Sequence, residues 1–209
     1  MSLQNDLALY AVTDRTWLNG RSLHDCVAEA LNGGVTMVQL REKHLADADF
    51  IAEARDIKRL CANHRVPFIV NDNLDVAMAV DADGIHVGQD DMSAVDIRKR
   101  WGKNKIVGVS AQTVSEAVQA EKDGADYLGV GAVFPTTTKT DAIDVPLPVL
   151  RDITKATSIP AVAIGGIDLT NTAQLRNSGI VGIAVISAIF AAKDITATSA
   201  KLLTASLQL

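Results

Sequence analysis

Two aspartates end two short apolar runs: Asp72 closes "PFIVND" (67–72) and Asp91 closes "GIHVGQDD" (84–91). If these runs are neighbouring strands, which lie about 4.8 Å apart in a sheet, the two carboxylates can share one hard cation. Two carboxylates completed by waters and phosphate oxygens suit Mg²⁺, whereas Ca²⁺ asks for more protein oxygens. Either aspartate alone is explained as well by a cap on the helix that follows it. The pair together, near a lysine-bearing loop, favours the metal.

Cations and hydroxyls stand at other strand ends. "VTMVQLREK" ends in Gln39, Arg41, Glu42 and Lys43, and "VFPTTTKTDA" (133–142) carries Thr136, Thr137, Thr138 and Lys139 behind Pro135. Arg41, Lys43 and Lys139 have the charge to meet a diphosphate, and the threonines offer hydroxyls and amides to anionic oxygens. Any one of these cations alone is a solvated surface charge on other grounds. "IGGI" (164–167) and "VIS" (185–187) complete the set, with glycines that let backbone amides approach an anion.

Something must hold these ends on one face. Eight apolar, largely β-branched runs serve as strand candidates: 7–14, 35–42, 67–72, 84–89, 105–111, 127–134, 160–166 and 182–187. Helical patterns separate them. In "SLHDCVAEALNGG" Leu23, Val27, Ala30 and Leu31 share a face, Ser22 opens the run and glycine closes it. "TVSEAVQAEKDGA" has Thr113 as a cap with Glu116 three residues on. The helix between the third and fourth strands reads as short, which makes it the weakest unit of the series. Eight such units with no linker or charge block predict a single α/β domain over residues 1–209, a (β/α)8 TIM barrel, whose working face is the C-terminal end of its strands.

Composition narrows the partners. The 209-residue chain is 48% hydrophobic but 4% aromatic, so its core is aliphatic, and its net charge of -5 argues against nucleic acid. Small-molecule substrates are expected. The N-terminal stretch predicts neither signal peptide nor membrane anchor, which makes a cytoplasmic protein the expectation. Cys26 and Cys61 form no metal-binding spacing and read as buried thiols of a reducing compartment. His86, inside a strand among apolar neighbours, reads as a packed histidine. His44 could reach the mouth of the site, and Trp17 and Trp101 read as packing residues.

Read in order, "LYAVTDR", "VQLREK", "FIVNDN", "GIHVGQDDM", "VGVSAQT", "GADYLGVGAVFPTTTKTDA", "AIGGI" and "GIAVISAI" resemble the pattern of thiamine phosphate synthases over nearly the whole chain. The resemblance implies a TIM barrel that joins hydroxymethylpyrimidine diphosphate to a thiazole phosphate with release of pyrophosphate. It implies that Gln39, Arg41, Lys43, Asn71, Ser110 and Lys139 hold the pyrimidine diphosphate, with Arg41, Lys43, Ser110 and Lys139 carrying the chemistry. Asp72 and Asp91 would ligate Mg²⁺, and Thr136, Thr137, Thr138, Gly166, Ile186 and Ser187 would surround the thiazole phosphate. "VPLP" (145–148) stands where the family pattern has a Gly-Leu pair. A thiazole tautomerase on the same scaffold would have no need of the paired aspartates and the diphosphate cations. A non-catalytic barrel that binds a thiazole or pyrimidine phosphate is not excluded by the sequence, but the full set of charged strand-end residues favours turnover. Homo-oligomer formation is compatible with the sequence.

Overall fold

A computed structural model describes residues 2–136, 138 and 143–209. Eight parallel strands close into a barrel in chain order. They are β1 (Leu9–Val12), β2 (Met37–Leu40), β3 (Phe68–Asn71), β4 (Gly84–Val87), β5 (Ile106–Ala111), β6 (Tyr127–Val130), β7 (Ala161–Ile164) and β8 (Gly182–Val185). The helices are α1 (Leu3–Asp6), α2 (Leu23–Asn32), α3 (Asp47–His64), α4 (Leu74–Ala79), α5 (Ala94–Trp101), α6 (Val114–Lys122), α7 (Leu147–Ala156), α8 (Ser187–Phe190) and α9 (Ile195–Ser206). Among the described residues no helix is long and apolar enough to cross a membrane.

The capping chemistry read from sequence is present. The Ser22 hydroxyl accepts from the Asp25 amide and Gly33 ends α2. Thr113 accepts from the Glu116 amide. Glu116 reaches back one residue further than a capping box requires, to the Gln112 amide at 2.7 Å.

The paired strands are shorter than the apolar runs. The ladder outlasts the assigned strand: the Thr13 amide still donates to Gln39 O at 2.9 Å and the Asp72 amide to His86 O at 2.9 Å. The remaining residues leave the sheet as loops, because tilted strands in a closed barrel run past their neighbours at the rim. Helix α4 is short, as expected. The more deviant unit is the last crossover, where only a 3₁₀ turn over Thr172–Leu175 lies between β7 and β8. There Asp168 Oδ1 accepts from the Thr170 amide and Asn171 Oδ1 from the Asp168 amide, local bonds that compete with helix formation.

Two apolar layers result. An outer shell of Val, Ile, Leu and Ala from both strands and helices includes the buried Cys26 and Cys61. Inside the barrel Tyr10, Val12, Met37, Ile69, Tyr127, Val162 and Ala184 pack together above Leu7. Along β1, β2, β3, β6, β7 and β8 alternate residues belong to these two layers, the period of two a pleated strand imposes.

Candidate functional site

At the C-terminal ends of the strands the barrel opens into a cavity of about 580 Å³. Its lining brings together Gln39, Arg41, Lys43, Asn71, Asp72, Asp91, Ser110, Thr136, Thr138, Gly166, Ile186 and Ser187, all expected from sequence. Thr137 and Lys139 lie outside the described residues.

The two aspartates are not helix caps. The cap of α4 is Asn73, whose side chain accepts from the Val76 amide, and the cap of α5 is Ser93, which accepts from the Asp96 amide. Asp72 sits just before its cap at φ +60°, a left-handed conformation that turns the chain sharply out of β3. Asp91 Oδ2 accepts from the Gly88 amide at 2.8 Å. Burial lifts the Asp91 carboxyl above the ordinary range; the Gly88 amide opposes this, and the nearby Asp72 carboxylate adds to it. A carboxylate that lies beside a second one in this way is suited to sharing a cation with it.

Arg41 and Lys43 line the cavity but are already paired. Arg41 Nη1 donates to Asp14 Oδ2 at 2.6 Å, and Lys43 Nζ to Asp72 Oδ2 at 2.8 Å. Asp14 is therefore a site residue that the sequence reading passed over. Its Oδ1 accepts from the Thr16 amide, which fixes the carboxylate beneath Arg41. Between the two cations Glu42 takes the opposite side. It pairs with Arg15 at 2.9 Å, its side chain is 4% exposed, and Oε1 has no partner among the described residues. Burial and the neighbouring Glu53 push its pKa up to about 6, against the pull of Arg15.

The floor of the cavity is a polar chain. Gln39 Nε2 donates to Tyr10 Oη at 2.6 Å, and the Tyr10 and Tyr127 hydroxyls are 2.8 Å apart. Tyr127 Oη is 2.9 Å from His86 Nδ1, and His86 Nε2 is 3.0 Å from Ser110 Oγ. His86 is buried, as its apolar neighbours suggested, but it also lines the cavity and touches a predicted site residue. Burial pushes its pKa down to about 4, with Asp91 opposing, so the ring is neutral at ordinary pH. Glycines make room for the rings. A Cβ on Gly108, the register partner of Tyr127, would fall 2.1 Å from Tyr127 Cζ, and one on Gly129 would fall 3.0 Å from His86 Cε1.

Across the cavity lie Gly165 and Gly166, at φ +96° and +62°. A Cβ on Gly166 would meet Pro135 O at 2.4 Å and Phe134 O at 2.7 Å, so only glycine lets this loop lie against the threonine loop. Asn171 Nδ2 donates to Gly166 O at 2.8 Å and holds the turn. Thr136 Oγ1 accepts from the Thr138 amide at 3.3 Å. The far end of that loop is anchored by Val145, whose amide donates to Ala132 O at 2.7 Å. The "VPLP" departure falls here, with Pro146 as cap and Pro148 in the first turn of α7, where a missing N–H costs nothing.

The family described as thiamine monophosphate synthase matches residues 9–189. The thiamine-phosphate synthase of Ruminiclostridium cellulolyticum is 49% identical over 203 residues, covering 97% of each chain. That of Chloroflexus aurantiacus is 52% identical over 198 residues, 94% of this chain and 91% of the relative. Among solved structures, thiamine phosphate pyrophosphorylase from Pyrococcus furiosus superposes with a TM-score of 0.91 at 39% identity, over 98% of both chains.

Proposed function

Since the chain belongs to the thiamine monophosphate synthase family and is a transferase of thiamine biosynthesis, we propose that its cavity joins 4-amino-2-methyl-5-hydroxymethylpyrimidine diphosphate to a thiazole phosphate, carboxylated or not. The observation that carries this reading is one cavity lined by two groups of residues: Arg41, Lys43, Asp72 and Asp91 follow β2, β3 and β4, and Thr136, Thr138, Gly166 and Ser187 follow β6, β7 and β8.

The donor set of the first group fits Mg²⁺. Asp72 and Asp91 supply oxygens only, and neither is consumed as a cap. When bound, Mg²⁺ neutralises charge on the leaving pyrophosphate.

The reaction breaks the pyrimidine CH₂–O bond, and the electron pair leaves on a pyrophosphate oxygen; where the thiazole carries a carboxylate, that group is lost as CO₂. The amino-substituted ring stabilises the resulting cation, and the thiazole nitrogen forms the new C–N bond with its lone pair, giving a thiazolium. Arg41 and Lys43 bring fixed positive charge to the departing group, the main lever in a reaction that needs no nucleophile from the protein. Lys139, outside the described residues, is expected to act beside them. Gln39, Asn71 and Ser110 hold the pyrimidine at the floor. Gly166, Ile186, Ser187 and the threonines fix the thiazole phosphate, so that the attacking nitrogen meets the cation in line rather than by chance.

The test is a mass-spectrometric assay with both substrates and Mg²⁺ beside an identical sample with EDTA. Thiamine phosphate formed only with metal supports the reading. Folded protein that makes none in either sample overturns it.

A further inference from the structure

The floor chain has a direction. Gln39 Nε2 is a donor, so Tyr10 Oη accepts there, and its single hydrogen goes to the other oxygen in reach, Tyr127 Oη at 2.8 Å. Tyr127, having accepted, donates its own hydrogen to His86 Nδ1 at 2.9 Å. A ring that accepts at Nδ1 carries its hydrogen on Nε2, which donates to Ser110 Oγ at 3.0 Å. Among the described residues His86 is the only partner of the Ser110 hydroxyl, whose hydrogen is left for the cavity that Ser110 lines.

We infer that Tyr10, Tyr127 and His86 are positioning residues: their polarised chain fixes the Ser110 hydroxyl as a hydrogen donor to the pyrimidine while Gln39 keeps its amide carbonyl as an acceptor. An aminopyrimidine has the complementary pair, a ring-nitrogen acceptor and an amino donor. Four observations support a built device rather than chance packing. The chain spans five strands, from β2 through β1, β6 and β4 to β5. Tyr10, Gln39, His86 and Tyr127 are each at most 9% exposed. Gly108 and Gly129 supply the space that the two rings need. Tyr127 does not line the cavity, so any effect it has on the pyrimidine passes through its two partners, His86 toward Ser110 and Tyr10 toward Gln39. Hydrogen bonds in such a chain strengthen one another in a low dielectric, which holds the direction against reversal.

The assignment of the ligand rests on the functional reading above; the direction of the chain does not. The first measurement is ¹⁵N imidazole NMR of the unliganded protein, with His86 identified by a His86→Asn variant. A bare Nδ1 and a protonated Nε2 are expected. A protonated Nδ1 or an imidazolium overturns the proposal, whether or not the protein makes thiamine phosphate. The second is steady-state kinetics of Tyr127→Phe. Loss of one buried hydrogen bond is expected to raise KM for the pyrimidine diphosphate about fivefold to tenfold, with KM for the thiazole phosphate unchanged and both His86 tautomers appearing in the NMR spectrum. Equal changes in both KM values, or none, overturn it. Wild-type protein that forms no product defeats the functional reading and the assignment of the pyrimidine, while the tautomer still decides the chain's direction.

Discussion

Lys43 Nζ lies 2.8 Å from Asp72 Oδ2, so an ammonium rests against the carboxylate proposed to hold Mg²⁺. Both side chains are substantially exposed, at 45% and 27%, and the pair contributes little to stability. It follows that Asp72 can be removed with little damage to the fold. Asp72→Ala should lower turnover about 10²–10³-fold, the scale of losing one electrostatic stabiliser of the transition state, and leave the thermal midpoint within a few degrees. Initial rates at saturating Mg²⁺ and a melting curve decide it, and wild-type rates would defeat the metal assignment.

Gly108 and Gly129 are both predicted to resist substitution, and to unequal degrees. A Cβ at Gly108 lies 2.1 Å from Tyr127 Cζ and 2.3 Å from its hydroxyl, whereas one at Gly129 lies 3.0 Å from His86 Cε1. The first forces a ring to move inside a packed barrel, and the second asks for a shift of tenths of an ångström. Gly108→Ala should cost about 1–3 kcal/mol, and Gly129→Ala less. Urea denaturation of the two variants gives the order, and the reverse order would refute the packing argument.

Gly166 separates the two substrates. Its φ of +62° and the 2.4 Å approach of a Cβ to Pro135 O mean that alanine there displaces the threonine loop. Gly166→Ala should raise KM for the thiazole phosphate about tenfold or more, the order of one lost charge-assisted contact. KM for the pyrimidine diphosphate should rise less, because only Lys139, which follows the displaced threonines in the chain, serves that substrate. A rise confined to the pyrimidine side would place the two substrates the other way round.

The barrel and most of the rim were legible because strand ends in this fold carry polar residues against apolar strand bodies. Gln39, Asn71, Asp72, Asp91 and Ser110 all stood out in that way, and all line the cavity. The floor chain was not legible. Strands buried on both faces read as unbroken apolar runs, so nothing in "LALYAVTD" or "GADYLGV" marks Tyr10 and Tyr127 as facing inward to meet each other 117 residues apart. His86 was visible as a histidine among apolar neighbours, but its two partners come from other strands. One signal was available: Gly108 and Gly129 fall inside strand candidates, where glycine often marks a bulky group approaching from a neighbouring strand. Asp14 was missed because its partner, Arg41, lies 27 residues on, across a strand pair.

Glu42 gives the fold a pH dependence of unusual sign. Its pKa is about 6 in the folded protein against an ordinary 4.5, with burial the leading cause and the repulsion of Glu53 adding to it. Between these values the folded state binds more protons than the unfolded chain, so stability falls as pH rises through the window. The contribution is fully present below about 4.5 and lost above about 6. Its size is on the order of 1–2 kcal/mol, from about 1.4 kcal/mol per pKa unit. Glu42→Gln removes the titration. The stability of wild type relative to Glu42→Gln should therefore drop by that amount between about pH 4.5 and pH 6 and then level off. Glu53→Gln, which keeps Glu42 but removes the repulsion, should shrink the drop. Urea denaturation across the window checks both, and wild-type and Glu42→Gln curves that run parallel with pH would show that Glu42 is already ionised in the fold at the acidic end.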